Sequence, residues 1–287
     1  MSIAIVTDTN SGIFEKEAKE LGVYIVPMPV VIDEQVYYEG KDLSEETFYS
    51  ALEQGKSIST SQPAPGDLME VWDHLLENGY DQVIYIPMSS GLSGSCMSAK
   101  MCAQDYEGKV FVVDNHRISV TLRQSAITAK SLADEGATAE AIVERLEKNA
   151  YDASIYLAVN TLEYLKKGGR ITPAAAMIGT LLNIRPILSI QGEKLDAYAK
   201  VHGSMRKTFD KMVEAIKADI AKRFADVKIE DLHLFLAGTN LDHEAVEGWK
   251  QLAREAFPGM EPHYDPLSIS IGTHTGPGAL GIGICIE

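Results

Sequence analysis

The sequence predicts an α/β protein of two domains. The first, over residues 1–152, is a parallel-sheet α/β domain, and the second, over 153–287, is an α/β domain with a mixed or antiparallel sheet. Three observations carry this expectation. Short apolar runs alternate with amphipathic stretches in the first half, the pattern of βαβ units. Hairpin-like strand pairs mix with helices in the second. A chain of 287 residues that is 45% apolar can also build two cores of ordinary size.

Residues 2–8 (SIAIVTD) read as a strand that ends in polar residues. Residues 23–32 read as a second strand, interrupted by prolines. Residues 43–55 suit a helix with Ser44 as N-cap and Gly55 beyond its end. The clearest helix spans 65–80: Leu68, Val71, Trp72, Leu75 and Leu76 follow i, i+3, i+4 spacing, Pro65 suits the first turn and Gly79 the stop. A strand over 83–88 runs into the loop SSGLSGS, then a helix to about 104 and a strand over 109–114. Residues 118–136 and 138–150 are helical.

In the second half, 154–159 is a strand, followed by a short helix and the segment KKGGR at 166–170. Residues 173–183 read as a helix rich in small residues. RPILSI and KLDAYAKV, joined through QGE, read as a hairpin. Residues 204–224 form a long amphipathic helix, LHLFLAG a strand, 242–256 a helix and ALGIGICIE a final strand.

Lys plus Arg is 26 and Asp plus Glu is 41, a formal net charge of −15. An acidic surface repels nucleic acid and anionic membrane, so neither is an expected partner beyond transient membrane contact. A small anion needs local donors or strong apolar burial instead. The cysteines, Cys96, Cys102 and Cys285, form no C-x-x-C pair, which disfavours a disulfide framework or metal site and fits a reducing cytoplasm. No secretory leader is expected from MSIAIVTDTNSG, and no window reaches 18 continuous apolar residues.

Four segments hold candidate chemistry. The loop IPMSSGLSGS ends a buried strand and opens a helix, where rotatable hydroxyls join unpaired backbone N–H groups. That combination suits an anion, and serves equally as capping and turn chemistry. A nucleophile elbow, G-x-S-x-G, fails at its last position because Ser95 follows Gly94. ISTSQPAPGDL places Thr60 and Ser61 before a helix, where they also serve as caps. GTHTGPGALG sets His274 between Thr273 and Thr275 in a glycine-rich turn, and the unperturbed pKa of histidine allows it a positive charge. LKKGGRI gathers Lys166, Lys167 and Arg170 into a basic patch.

Together IVTDTNSGI, TSQPAPGDL, IPMSSGLSGS, VVDNHRISV, TLEYLKKGGRI, RPILSI and GTHTGPGALGIG resemble the DegV family over nearly the whole chain. The resemblance implies two α/β domains that hold one long-chain fatty acid between them. It implies no cofactor, no metal and no catalytic residue. The bound acid would be presented to a separate ATP-dependent fatty acid kinase subunit, which makes an acyl phosphate for phospholipid synthesis. On the family pattern Thr60, Ser93 and His274 bind the carboxylate, with Ser61, Ser90, Gly91, Gly94 and Thr273 as neighbours. Arg170, with Lys167 and His202, would dock the kinase or its phosphate. The chain departs from the family at Thr9-Asn10, at Asn115-His116, and at His202, which stands where an arginine is usual.

The physics suits such a ligand. Each buried CH₂ contributes about 0.8 kcal/mol, so about fifteen give a gross term of about 12 kcal/mol before the costs of association. A neutral hydrogen bond nets only about 1 kcal/mol. The apolar chain therefore sets affinity and the hydroxyls fix the head group. Two other readings stay open from the residues alone: a small-molecule hydrolase or transferase with Ser93 as nucleophile and His274 as base, and a carrier of another anionic lipid.

Overall fold

The computed structural model describes residues 1–177 and 184–286. The chain divides into two compact units: Met1–Tyr151 with Ser268–Ser270, and Asp152–Leu267 with Ile271–Glu287.

In unit 1, β1 (Ile3–Asp8) is buried at every position, as a strand covered on both faces must be. The helix α1 (Glu15–Leu21) follows and closes at Gly22, whose φ of 68° is left-handed. The run 23–32 is two strands, β2 (Tyr24–Val26) and β3 (Pro29–Ile32), because Pro27 and Met28 break it. β3 pairs antiparallel with β4 (Gln35–Tyr38) through a two-residue turn at Asp33 and Glu34, with φ of 47° and 70°. Helix α2 (Glu45–Glu53) starts at Ser44, whose Oγ accepts from the Thr47 N–H at 3.2 Å. β5 (Ile58–Thr60) then completes a three-stranded sheet of order β4-β3-β5.

The remaining elements of unit 1 complete the parallel sheet. Helix α3 (Pro65–Glu77) buries Leu68, Trp72 and Leu75 against Val6, Val83 and Tyr85. The last two of those lie on β6 (Gln82–Ile86). After it come α4 (Ser95–Cys102), β7 (Val110–Val112), α5 (Ser119–Asp134) and α6 (Ala139–Lys148). The sheet order is β2-β1-β6-β7, all parallel. Its register sets Thr7 opposite Ile86, so the polar ends of β1 and β6 emerge side by side. In α/β sheets that carboxyl edge is where ligands bind.

Unit 2 begins with β8 (Ala153–Ala158), α7 (Glu163–Gly168) and α8 (Pro173–Ala176). Residues 178–183 of the helix expected over 173–183 lie outside the described residues. The hairpin is present as β9 (Ile184–Ile190) and β10 (Asp196–His202). Next come α9 (Met205–Lys222), β11 (Leu232–Gly238), α10 (His243–Ala256), β12 (His263–Pro266), α11 (Ile269–Thr275) and β13 (Leu280–Ile286). The six strands run β10-β9-β8-β13-β11-β12, antiparallel except for the parallel pair β11–β12. Phe209, Met212 and Ile216 of α9 pack on Tyr156, Leu234 and Ile282 of this sheet. No helix among the described residues is long and apolar enough to cross a membrane.

The segment Ser268–Ser270 joins unit 1 through a buried polar network at the end of β1. Asn10 Oδ1 accepts from Ser268 Oγ at 3.1 Å and from Ser270 Oγ at 2.5 Å. Glu39 accepts from Thr9 Oγ1 at 2.9 Å and from the backbone N–H groups of Ile269 and Ser270. Asp8 accepts from the N–H of Met88 and of Asn10, each at 2.9 Å. Burial outweighs these donors: it pushes Asp8 up to about 6 and Glu39 up to about 7, with the nearby Asp8 charge adding to the rise at Glu39.

A carboxyl whose folded pKa is raised binds its proton more tightly in the native state. Its contribution to stability is therefore full below the unfolded value of 4.5 and is lost as pH rises through about 7. The Glu39→Gln variant lacks this titration. Urea denaturation at pH 5 and pH 8 should show the stability difference between wild type and variant moving in the variant's favour at the higher pH. A difference that stays constant across the window would contradict the assignment.

Candidate functional site

The serine loop is organised by its own backbone. The Ser89 N–H donates to the Arg117 carbonyl at 2.8 Å, and the N–H groups of Leu92 and Ser93 turn back onto the Ser89 carbonyl at 3.0 and 3.1 Å. Gly91 N–H donates to Ser89 Oγ at 3.1 Å, and Ser90 N–H to Asp114 Oδ1 at 3.2 Å. The 114–118 loop that supplies Asp114 and Arg117 carries a left-handed φ at His116 (53°), and Ser119 at the head of α5 another (54°). Such non-glycine conformations persist only where the surroundings hold them.

Ser93 Oγ accepts from the Ser95 N–H at 3.2 Å, so it satisfies one orphan donor of α4, and it lies 2.8 Å from Ser95 Oγ. A serine nucleophile needs a base within hydrogen-bond reach. Ser95, the hydroxyl paired with Ser93, is no base. Gly94 has a second role. A Cβ there would lie 2.7 Å from Gln62 Oε1, so the end of the Gln62 side chain in the TSQP segment rests against the serine loop and would have to shift for a larger residue. Thr60 is half-buried on β5, beside Val30, while Ser61 is exposed and its N–H donates to the Pro29 carbonyl at 3.3 Å. Thr60, Ser61, Ser90, Gly91, Ser93 and Gly94 thus all belong to unit 1, on two segments in contact through Gln62.

Unit 2 holds the other predicted residues. Thr273 and His274 lie in α11, a helix, where the sequence suggested a glycine-rich turn; the turn starts at Gly276. The run ISIGTHT is full of β-branched residues and glycine, poor helix formers, which is why its helicity was not legible. Its first N–H groups find their acceptor in Glu39, far away in sequence. After the helix, Thr239 Oγ1 donates to the Gly276 carbonyl at 2.7 Å and accepts from the Ala279 N–H at 2.9 Å. Asn160 Nδ2 donates to the Pro277 carbonyl at 3.1 Å, and Asn160 Oδ1 accepts from Arg185.

Helix α7 lies directly against this segment. The His274 imidazole packs on Gly168, and Tyr164 covers Gly276, at positions where a Cβ would collide with either ring. Arg170 donates to the Gly168 carbonyl. Burial, then the Arg170 charge, pulls His274 down to about 4, so at neutral pH the ring is uncharged. This corrects the expectation of a positively charged histidine: the ring can still donate one N–H, but brings no charge to an anion. Lys167 is exposed on α7, and His202 is exposed at the end of the edge strand β10. Sequence reasoning missed Gln62, Asp114, Asn160 and Gly168, all of which act through contacts that no local pattern signals. Among the described residues, no three His, Cys, Asp or Glu are grouped to hold a metal ion.

Comparison with known proteins places these features in a family context. Residues 2–287 match the DegV family of uncharacterised proteins. A DegV domain-containing protein of Deinococcus radiodurans is 33% identical over 285 residues, 99% of this chain and 98% of its own. Among solved structures, a DegV family protein from Thermus thermophilus, described for its fatty acid binding, has a TM-score of 0.88 at 30% identity with full coverage of both chains. DegV from Bacillus subtilis, a fatty acid binding protein, has a TM-score of 0.83 at 29% identity, again over the whole of both.

The state of His274 is directly measurable. In an NMR titration its imidazole resonances should stay fixed from pH 8 to pH 5.5 and begin to move only as pH nears 4. A midpoint near the ordinary histidine value of about 6.5 would contradict the buried, neutral assignment.

Proposed function

Because the chain belongs to the DegV family, we propose that it binds a single long-chain fatty acid and presents the carboxylate to a separate ATP-dependent fatty acid kinase subunit. The observation that carries this reading is the full-length similarity to two fatty-acid-binding members, from Thermus thermophilus and Bacillus subtilis. The carboxylate takes hydrogen bonds from Thr60 and Ser93, with Ser61, Ser90, Gly91 and Gly94 shaping their loops, and from His274 beside Thr273. Every one of these donors is neutral. The apolar chain supplies most of the binding free energy and the donors orient the head group. In the transfer step a carboxylate oxygen attacks the γ-phosphorus of ATP, the bond to the bridging oxygen breaks, and ADP leaves with the acyl phosphate formed. The chain contributes no catalytic residue of its own. Arg170, Lys167 and His202 meet the kinase or the phosphate it carries. Use of ATP and the supply of acyl phosphate to phospholipid synthesis assign the protein to the cytoplasm.

Native mass spectrometry of protein purified from a bacterial host tests the binding. One C14–C18 fatty acid per chain is the expected result. Protein that carries none, and takes none up from added palmitate, would refute it. The presentation step has its own assay. With ATP and a bacterial fatty acid kinase subunit, hydroxylamine should trap acyl hydroxamate only when both proteins are present. Ser93→Ala should weaken palmitate binding about five-fold, the effect of one neutral hydrogen bond. Hydroxamate formed by this chain and ATP alone would contradict the non-catalytic role.

A further inference from the structure

The turn at the end of α7 has a property that its basic residues do not explain. Gly168 has an ordinary backbone conformation, so no left-handed φ demands glycine there. The space above its Cα does. An added Cβ would overlap the His274 ring, with Nδ1, Cε1 and Cγ the nearest atoms. Those atoms belong to the imidazole ring itself, Cγ at its point of attachment included, so the whole ring, and not just a side-chain tip, would have to move. The Gly168 carbonyl is held in turn by Arg170. Gly169, which follows, has open space above it and needs glycine only for its φ of 70°. The two glycines of KKGGR therefore serve different purposes.

We propose that Gly168 is the positioning residue for His274: its missing side chain forms the seat on which the imidazole rests, with the Nδ1 edge against α7 and Nε2 on the far side of the ring. What His274 then does for a carboxylate rests on the fatty-acid reading; the seat itself does not. Lys167 and Arg170, two of the residues proposed to meet the kinase, share α7 and its terminal turn with this seat. A shift of α7 on docking would move the histidine with it.

A double-mutant cycle on Gly168→Ala and His274→Ala tests the seat, with Gly248→Ala as control. Gly248 is exposed on α10 with nothing within 4 Å of its Cβ position, so that change is expected to be harmless. Gly168→Ala should lower the melting temperature by about 3 °C or more. Adding His274→Ala should restore it to that of His274→Ala alone, because the colliding ring is gone. If Gly168→Ala proves insoluble, the double variant should still fold. Additive losses, or a double variant that fails to fold, would overturn the proposal. In soluble Gly168→Ala the imidazole should titrate closer to 6.5; an unchanged His274 titration would also overturn it. Palmitate affinity gives a third readout: about five-fold weaker in each single variant and no weaker in the double. Losses that multiply to about 25-fold would contradict a shared role. If the wild type binds no palmitate, the fatty-acid reading fails, while the melting and titration experiments still decide the seat.

Discussion

The close approach of side chains to glycine backbone is the constraint on which the candidate site's loops depend. Gln62 reaches the serine loop over Gly94, His274 rests on Gly168, Tyr164 covers Gly276 and Asn160 abuts Gly278. In each case a polar or aromatic side chain lies where any other residue would place a methyl group. Close approach to backbone also brings side chains within reach of carbonyl and amide groups. Asn160 bonds the Pro277 carbonyl, and Thr239 spans the carbonyl of Gly276 and the amide of Ala279. The loops at the strand ends are thereby fixed by hydrogen bonds and contact, with few cations among their partners: Arg185 on Asn160 and Arg170 on the Gly168 carbonyl.

That choice suits a chain with a net charge of −15. Its buried titratable groups tend toward the neutral form. Asp8 and Glu39 hold their protons to higher pH than exposed carboxyls do, and His274 gives up its proton far below the ordinary value. Burial is the leading cause at all three. Neutral donors cost less to desolvate than ions, and a hydroxyl can rotate toward whichever acceptor arrives. A ligand held this way must draw its affinity from elsewhere, which is why a long apolar chain fits the proposal better than a compact anion.

The main architecture was legible because it is written in local pattern. β1 and β6 are continuous apolar runs, α3 repeats its apolar residues at helical spacing, and the β9–β10 hairpin follows its turn. What escaped was written in tertiary contact. Helix α1 buries only Ala18 and has no apolar stripe to find. The β3–β4 hairpin turns on Asp33-Glu34, without the Asn-Gly or Asp-Gly signal such turns usually carry. Helix α11 is composed of poor helix formers, and Glu39 accepts from its first N–H groups. The motifs were legible as polar strand ends, yet the charge state of His274 was not, because burial and Arg170 set it.

The central claim is that apolar burial grips the ligand while neutral donors only orient its head. Calorimetric affinities for saturated fatty acids from eight to sixteen carbons test it most directly. At about 0.8 kcal/mol per CH₂, each added carbon should tighten binding roughly four-fold until the chain fills its space. Affinity that is flat across the series would show that the head group dominates, and would contradict the account.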